Sequence, residues 1–109
     1  MGDRAVVRVE SKYGHAPCEM YLHGAGSRSI ELVRGAIPRM REGDEDYSMA
    51  RLIGHCHEQI DGNRGLGVLP YGNGPDGDAG LLVYNCSTGK LVITDGYQNG
   101  VHQLDIPPS

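Results

Sequence analysis

"RLIGHCHEQI", residues 51–60, sets Cys56 between His55 and His57, and whether it forms a helix or a strand decides both the fold and the chemistry open to it. On a strand the two histidines share a face and can grip one zinc ion. On a helix each residue turns by about 100°, so the rings stand about 200° apart and cannot converge. The neighbours settle the choice. Met49, Leu52, Ile53, Cys56 and Ile60 recur at spacings of three and four, which is the period of a helix with one apolar stripe. "GDEDYS" before them supplies Asp44 as an N-cap and acids near the positive end of the helix dipole, and "DGN" (61–63) ends the run. Cys56 then belongs to the core, and the histidines do not make a metal site.

The same period appears upstream. Ile30, Val33, Ile37 and Met40 follow "GAGSRS" and predict a second helix, capped by Ser27 or Ser29 and kinked or ended by Pro38, whose ring removes a backbone hydrogen bond. Strand periodicity governs the rest. In "AVVRVE" (5–10), Ala5, Val7 and Val9 alternate with Val6, Arg8 and Glu10; in "CEMYLH" (18–23), Cys18, Met20 and Leu22 alternate with Glu19, Tyr21 and His23. The "SKYGHAP" turn joins these two as a hairpin. "LGVLPY", "LLVYN" and "KLVIT" read as further strands, the last two linked by "CSTG" with Gly89 at positive φ, and the tail can supply a short edge strand before its prolines. The expectation is one α+β domain over residues 1–109, with an antiparallel sheet of about five strands carrying two helices on one face in the order ββααβββ.

Composition bounds the function. A chain of 109 residues can bury one core without staples. A net charge of -4 argues against a partner whose recognition rests on phosphate neutralisation, so nucleic acid is not expected. Arg28, Arg34, Arg39 and Arg41 lie close in sequence, but Asp44, Glu45 and Asp46 follow and can screen them, which reads as a solvated helix face. No apolar run is long enough to span a membrane, and "MGDRAVVRVE" lacks a signal-peptide pattern, so a cytoplasmic location is expected. Cys18, Cys56 and Cys86 are odd in number and widely spaced, as reduced thiols are. With no Trp and no Phe, the core must be aliphatic, Met and Tyr.

One stretch offers a ligand site. In "HGAGSRS" a strand runs through glycines into a helix start, and the backbone N–H groups freed there can hold a phosphate or carboxylate, with His23, Gly24, Gly26, Ser27, Arg28 and Ser29 around it. The competing explanation is a tight turn with an N-cap. The pattern lacks the Lys-Ser or Lys-Thr of a P-loop. "GNGPDG" spells GxGxxG at Gly72, Gly74 and Gly77, yet a strand follows rather than a helix, so it is no dinucleotide fingerprint. Asn73, Asp76 and Asp78 could offer oxygens to calcium, but the loop lacks the downstream Glu of a calcium loop and reads as an Asp/Gly turn. Cys18 and Cys86 with His15, His23 or His102 are the raw material of a Cys-His hydrolase or transferase, but no local signature selects a catalytic residue, and no cofactor is implied.

Taken in order, "DRAVVRV", "MYLHGAG", "MARLI", "GLGV" and "LLVYN" resemble a group of small uncharacterised proteins encoded in phage and other mobile bacterial DNA. In that group a Trp often follows the His, where this chain has Gly24. The resemblance implies a setting, an accessory protein of a mobile element, and no activity. The expectation is a non-enzymatic binding module that holds a small anionic ligand such as a nucleotide, or a protein partner. A homodimer is also expected, because a sheet covered on one face leaves its other face and its edges to be managed.

Overall fold

The computed structural model of the protein describes residues 3–60, 65–74 and 77–109. Strand β1 (Ala5–Ser11) forms where small and β-branched residues alternate with Arg8 and Glu10, and it lies inside a seven-stranded sheet. The chain then turns through β2 (Gly14–His15), a two-residue extension paired with Glu10 and Ser11, into β3 (Cys18–Leu22). β3 runs antiparallel to β1 with Val7 opposite Met20, as the hairpin pattern predicts. β4 (Leu66–Pro70) joins the outer side of β3, and β5 (Gly80–Asn85) takes the other side of β1, with Val7 opposite Leu82. β6 (Lys90–Thr94) and β7 (Gly100–Gln103) complete the spatial order β4-β3-β1-β5-β6-β7. The β5–β6 turn is as expected, with Gly89 at φ 79.

The α+β class holds, but the antiparallel order ββααβββ requires correction. The order is βββααββββ, and β1 and β5 are parallel. The cause lies in the glycine-rich stretch after β4. It reads as a turn between neighbours, yet β4 pairs with β3, so this stretch must carry the chain past β3 and β1 before β5 can start.

Both helices cover the face that presents Ala5, Val7 and Val9. Helix α1 (Ser29–Ala36) runs into a 3-10 turn, Ile37–Arg39, where Pro38 ends the regular helix. Leu32, Val33, Ile37 and Met40 are buried there, and helix α2 (Glu45–Gln59) adds Met49, Leu52 and Cys56. Cys56 is therefore core, as its stripe requires. Asp44 caps α2 by accepting from the Tyr47 N–H at 3.0 Å. The expected serine cap on α1 is absent: the N-cap is Arg28 with no side-chain bond, and Ser29 Oγ donates instead to the Gly26 carbonyl at 2.6 Å. A preceding 3-10 turn, Gly26–Arg28, displaces the cap position. The expected "DGN" stop, 61–63, lies outside the described residues. The helices approach closely at Gly35, where a Cβ would stand 2.7 Å from His55 Nε2. With no Trp or Phe, Tyr84 is the largest fully buried side chain, and its hydroxyl donates to the Asp105 carbonyl at 2.6 Å.

On the opposite face, Glu19 should point outward beside Tyr21. It is instead 0% exposed, because the segment after β4 folds across β1 and β3. Arg8 Nε donates to its carboxylate at 2.5 Å, the Gly72 N–H at 3.3 Å, and the Gly74 N–H completes the set. Tyr71 lies with its ring centroid 4.7 Å from the Arg8 guanidinium, donates to Glu10 at 2.7 Å and stacks on His15 at 3.7 Å. A buried carboxylate has to be satisfied wherever it sits, and here its satisfaction fastens the covering segment to the sheet. Removing the Glu19 charge should cost about 1–3 kcal/mol. Urea unfolding of Glu19→Gln is expected to show that loss. Because part of it is the uncompensated Arg8 charge, Glu19→Gln combined with Arg8→Met should recover some of the deficit.

Candidate functional site

The "HGAGSRS" corner forms, and the chain fills it. The Gly24 and Gly26 N–H groups donate to the Asp3 carbonyl at 3.0 and 2.7 Å, and the Ser27 N–H donates to the Asp3 carboxylate at 2.7 Å. Tyr97 donates to the other Asp3 oxygen at 2.6 Å, and this hydroxyl chiefly holds the Asp3 carboxyl below its ordinary range. The Gln98 amide reaches the Gly26 carbonyl and Ser29 Oγ. Arg28 donates to the Gln59 carbonyl at 3.3 Å, and His23 Nδ1 meets the Tyr21 hydroxyl at 3.0 Å. The corner thus gathers Gly24, Gly26, Ser27 and Ser29 as expected, while His23 and Arg28 face other partners. Its anion-binding amides serve as a joint between the start of β1, the helix start and the β6–β7 turn.

A second concentration of donors arises where the sequence predicts only a solvated helix face. Asp44, Glu45 and Asp46 do not line it: Asp44 caps α2, and Glu45 accepts from Ser11 Oγ at 2.5 Å. The nearby arginines also part company. Arg34 pairs with Glu31 on α1, whereas Arg39 and Arg41 flank Met40, whose backbone is extended. In extended chain alternate residues share a side, so burying Met40 presents both arginines to solvent together. Ser48 fixes this segment by donating to the Arg41 carbonyl and accepting from the Arg41 N–H at 3.0 and 3.2 Å. From α2, Tyr47 and Arg51 are one turn apart, with the guanidinium 4.6 Å above the ring centroid.

These groups border a cleft of about 500 Å³, with Pro38 at one wall and Pro108 and Ser109 at another. The Glu42 N–H donates to the Pro108 carbonyl at 2.9 Å and holds that wall in place. Three arginines line the cleft and no acidic side chain does, on a chain of net charge -4. Arg39 reaches Glu58 at 2.7 Å, but Arg41 and Arg51 meet no carboxylate among the described residues. The signal available in the sequence was an apolar residue between two arginines, followed by Tyr and Arg four apart.

The remaining candidates do not assemble. His15 Nδ1 bonds to the Ala16 carbonyl at 2.9 Å and its ring is stacked on Tyr71, so its geometry belongs to the β2 turn. Burial pushes all three thiols up, Cys56 to about 12, with Asp46 and Glu19 adding to the rise at Cys18. A thiol nucleophile needs the opposite shift. Gly72 and Gly74 serve the Glu19 carboxylate, Asp78 pairs with Arg4 at 3.4 Å, and Asp76 of the turn lies outside the described residues. Among the described residues no helix is long and apolar enough to cross a membrane. No family model, curated protein or solved structure matches this chain.

Two outcomes follow from the titrating groups. Alkylation by iodoacetamide at pH 7.5 should be slow at Cys18, Cys56 and Cys86 in the folded protein and fast once it is denatured; a rapidly labelled native thiol would contradict the burial. His55, pressed between the helices, is held below its ordinary value of 6.5 by burial and then by Arg39. The unfolded chain therefore binds its proton more readily, and stability is lost as pH falls through 6.5 toward the folded value. His55→Leu should flatten the stability profile between about pH 7 and about pH 5.

Proposed function

We propose that this protein is a non-enzymatic binding module for a small anionic ligand, taken in the cleft of Arg39, Arg41 and Arg51. The observation that carries the reading is a cleft lined by three arginines and no acidic side chain, two of the arginines lacking a carboxylate partner among the described residues. Guanidinium groups bind phosphate and carboxylate oxygens through paired N–H donors. The "HGAGSRS" corner is a weaker candidate, because an incoming anion would have to displace Asp3 from every amide it needs. Catalysis is not part of the reading, since no thiol in the chain is activated. Resemblance to proteins of phage and mobile DNA supports the setting we assign, an accessory protein of such an element.

Phosphate and citrate titrations followed by calorimetry test the assignment. Losing one charge-assisted contact costs about 1.5–3 kcal/mol, so Arg41→Gln with Arg51→Gln should weaken binding by at least about tenfold. Asp3→Ala, which frees the Ser27 N–H at the other corner, should leave the affinity as it was. Binding that survives the double arginine variant, or that grows when Asp3 is removed, would move the site to the "HGAGSRS" corner.

A further inference from the structure

The shape and surface of the arginine cleft point past a bare inorganic anion. At about 500 Å³ it falls in the range of cavities that hold whole organic ligands, about 300–1,000 Å³. An inorganic phosphate would leave most of it to water. Its walls are also divided by chemistry. Arg41 stands on the extended segment after the 3-10 turn, Arg51 sits beside the Tyr47 ring on α2, and Pro38 and Pro108 add apolar lining.

The Arg51–Tyr47 pair is the decisive element. A guanidinium carbon 4.6 Å from a ring centroid is within cation–π reach of the tyrosine. A guanidinium plane can also stack on heteroaromatic rings, as arginines do against unstacked bases. Tyr47 itself is 38% exposed, so ring surface beside Arg51 stays open to solvent. An ion-binding site has no need of it. Arg51 is held in place by the ring without using up a carboxylate, so it keeps both its charge and its stacking capacity.

We propose that the ligand is a nucleoside monophosphate, its phosphate bound by Arg41 with Arg39 nearby and its base stacked against the Arg51–Tyr47 pair. This inference rests on the anion-cleft reading above. The phosphate supplies the bidentate acceptor that Arg41 lacks, and the base covers apolar surface that a bare anion leaves wet. The shared chemistry, a phosphate monoester on a planar ring, also occurs in phosphotyrosine, which the experiment separates by including it.

The test is calorimetric titration of the intact protein with inorganic phosphate, ribose 5-phosphate, phosphotyrosine and the nucleoside 5'-monophosphates. The expected result is a nucleotide bound at least about fivefold more tightly than ribose 5-phosphate, since stacking one base contributes about 1–3 kcal/mol. Tyr47→Leu should collapse that ratio, and Tyr47→Phe, which keeps the ring, should retain it; circular dichroism confirms that both variants fold. Equal affinities for nucleotide and ribose 5-phosphate, or a ratio untouched by Tyr47→Leu, would overturn the base-stacking role while leaving an anion site in place. Preference for phosphotyrosine over every nucleotide would overturn the nucleotide assignment. Failure of every phosphate, inorganic phosphate included, to bind would overturn the anion-cleft reading itself.

Discussion

A strand that is paired along both edges and covered on both faces leaves its neighbours little freedom, and β1 is such a strand. Its carbonyls and amides are shared between β3 and β5, so neither edge is open to solvent or to another chain. Ala5, Val7 and Val9 are fully buried beneath the helices, and Val6 is 3% exposed on the other side. Everything else is arranged to complete this environment. The helices supply the apolar cover on one face, and the segment after β4, fastened through Glu19, supplies it over part of the other. A parallel partner for β1 is what forces β5 away from β4 and gives the sheet its mixed character.

Both sites discussed here follow from that arrangement. The glycine corner lies where the chain enters β1, and the backbone there must be tied down for β1 to keep its register. Asp3 does the tying with its own carbonyl and carboxylate. A pattern of glycines ahead of a helix can thus be consumed internally, and only the position of another acid in space reveals it. At the arginine cleft the same logic runs in reverse. Of the acids that sequence proximity would assign as screens, Asp44 is engaged in capping α2 and Glu45 in holding Ser11.

Much of this was legible in the sequence, and the reasons are physical. Local periodicity is enforced by local geometry, so the stripe through Met49, Leu52 and Cys56 and the alternation in β1, β3, β5 and β6 could be read directly. The Asp44 cap was equally local. Pairing partners are a different kind of information, because nothing within "LGVLPY" distinguishes β3 from β5 as its neighbour. Burial of Glu19 was hidden for the same reason: alternation assigns a residue to a face, but only the path of a distant segment says whether that face is dry. Gathering Arg39, Arg41 and Arg51 needed the fold, since they stand on a 3-10 turn, on the extended segment after it and on a helix.

The parallel pairing of Ala5 with Gly80 has a temporal side as well. On a ribosome, β1 leaves the exit tunnel early, and its hairpin with β3 can close at once because the contact is short-range. The second edge of β1 must wait until both helices and β4 have been made. During that interval an apolar, hydrogen-bonding edge is open to any other nascent chain on the same message, and long-range pairing of this sort also slows the final closure. The early chain carries the hazard, and expression conditions that slow elongation would lengthen it.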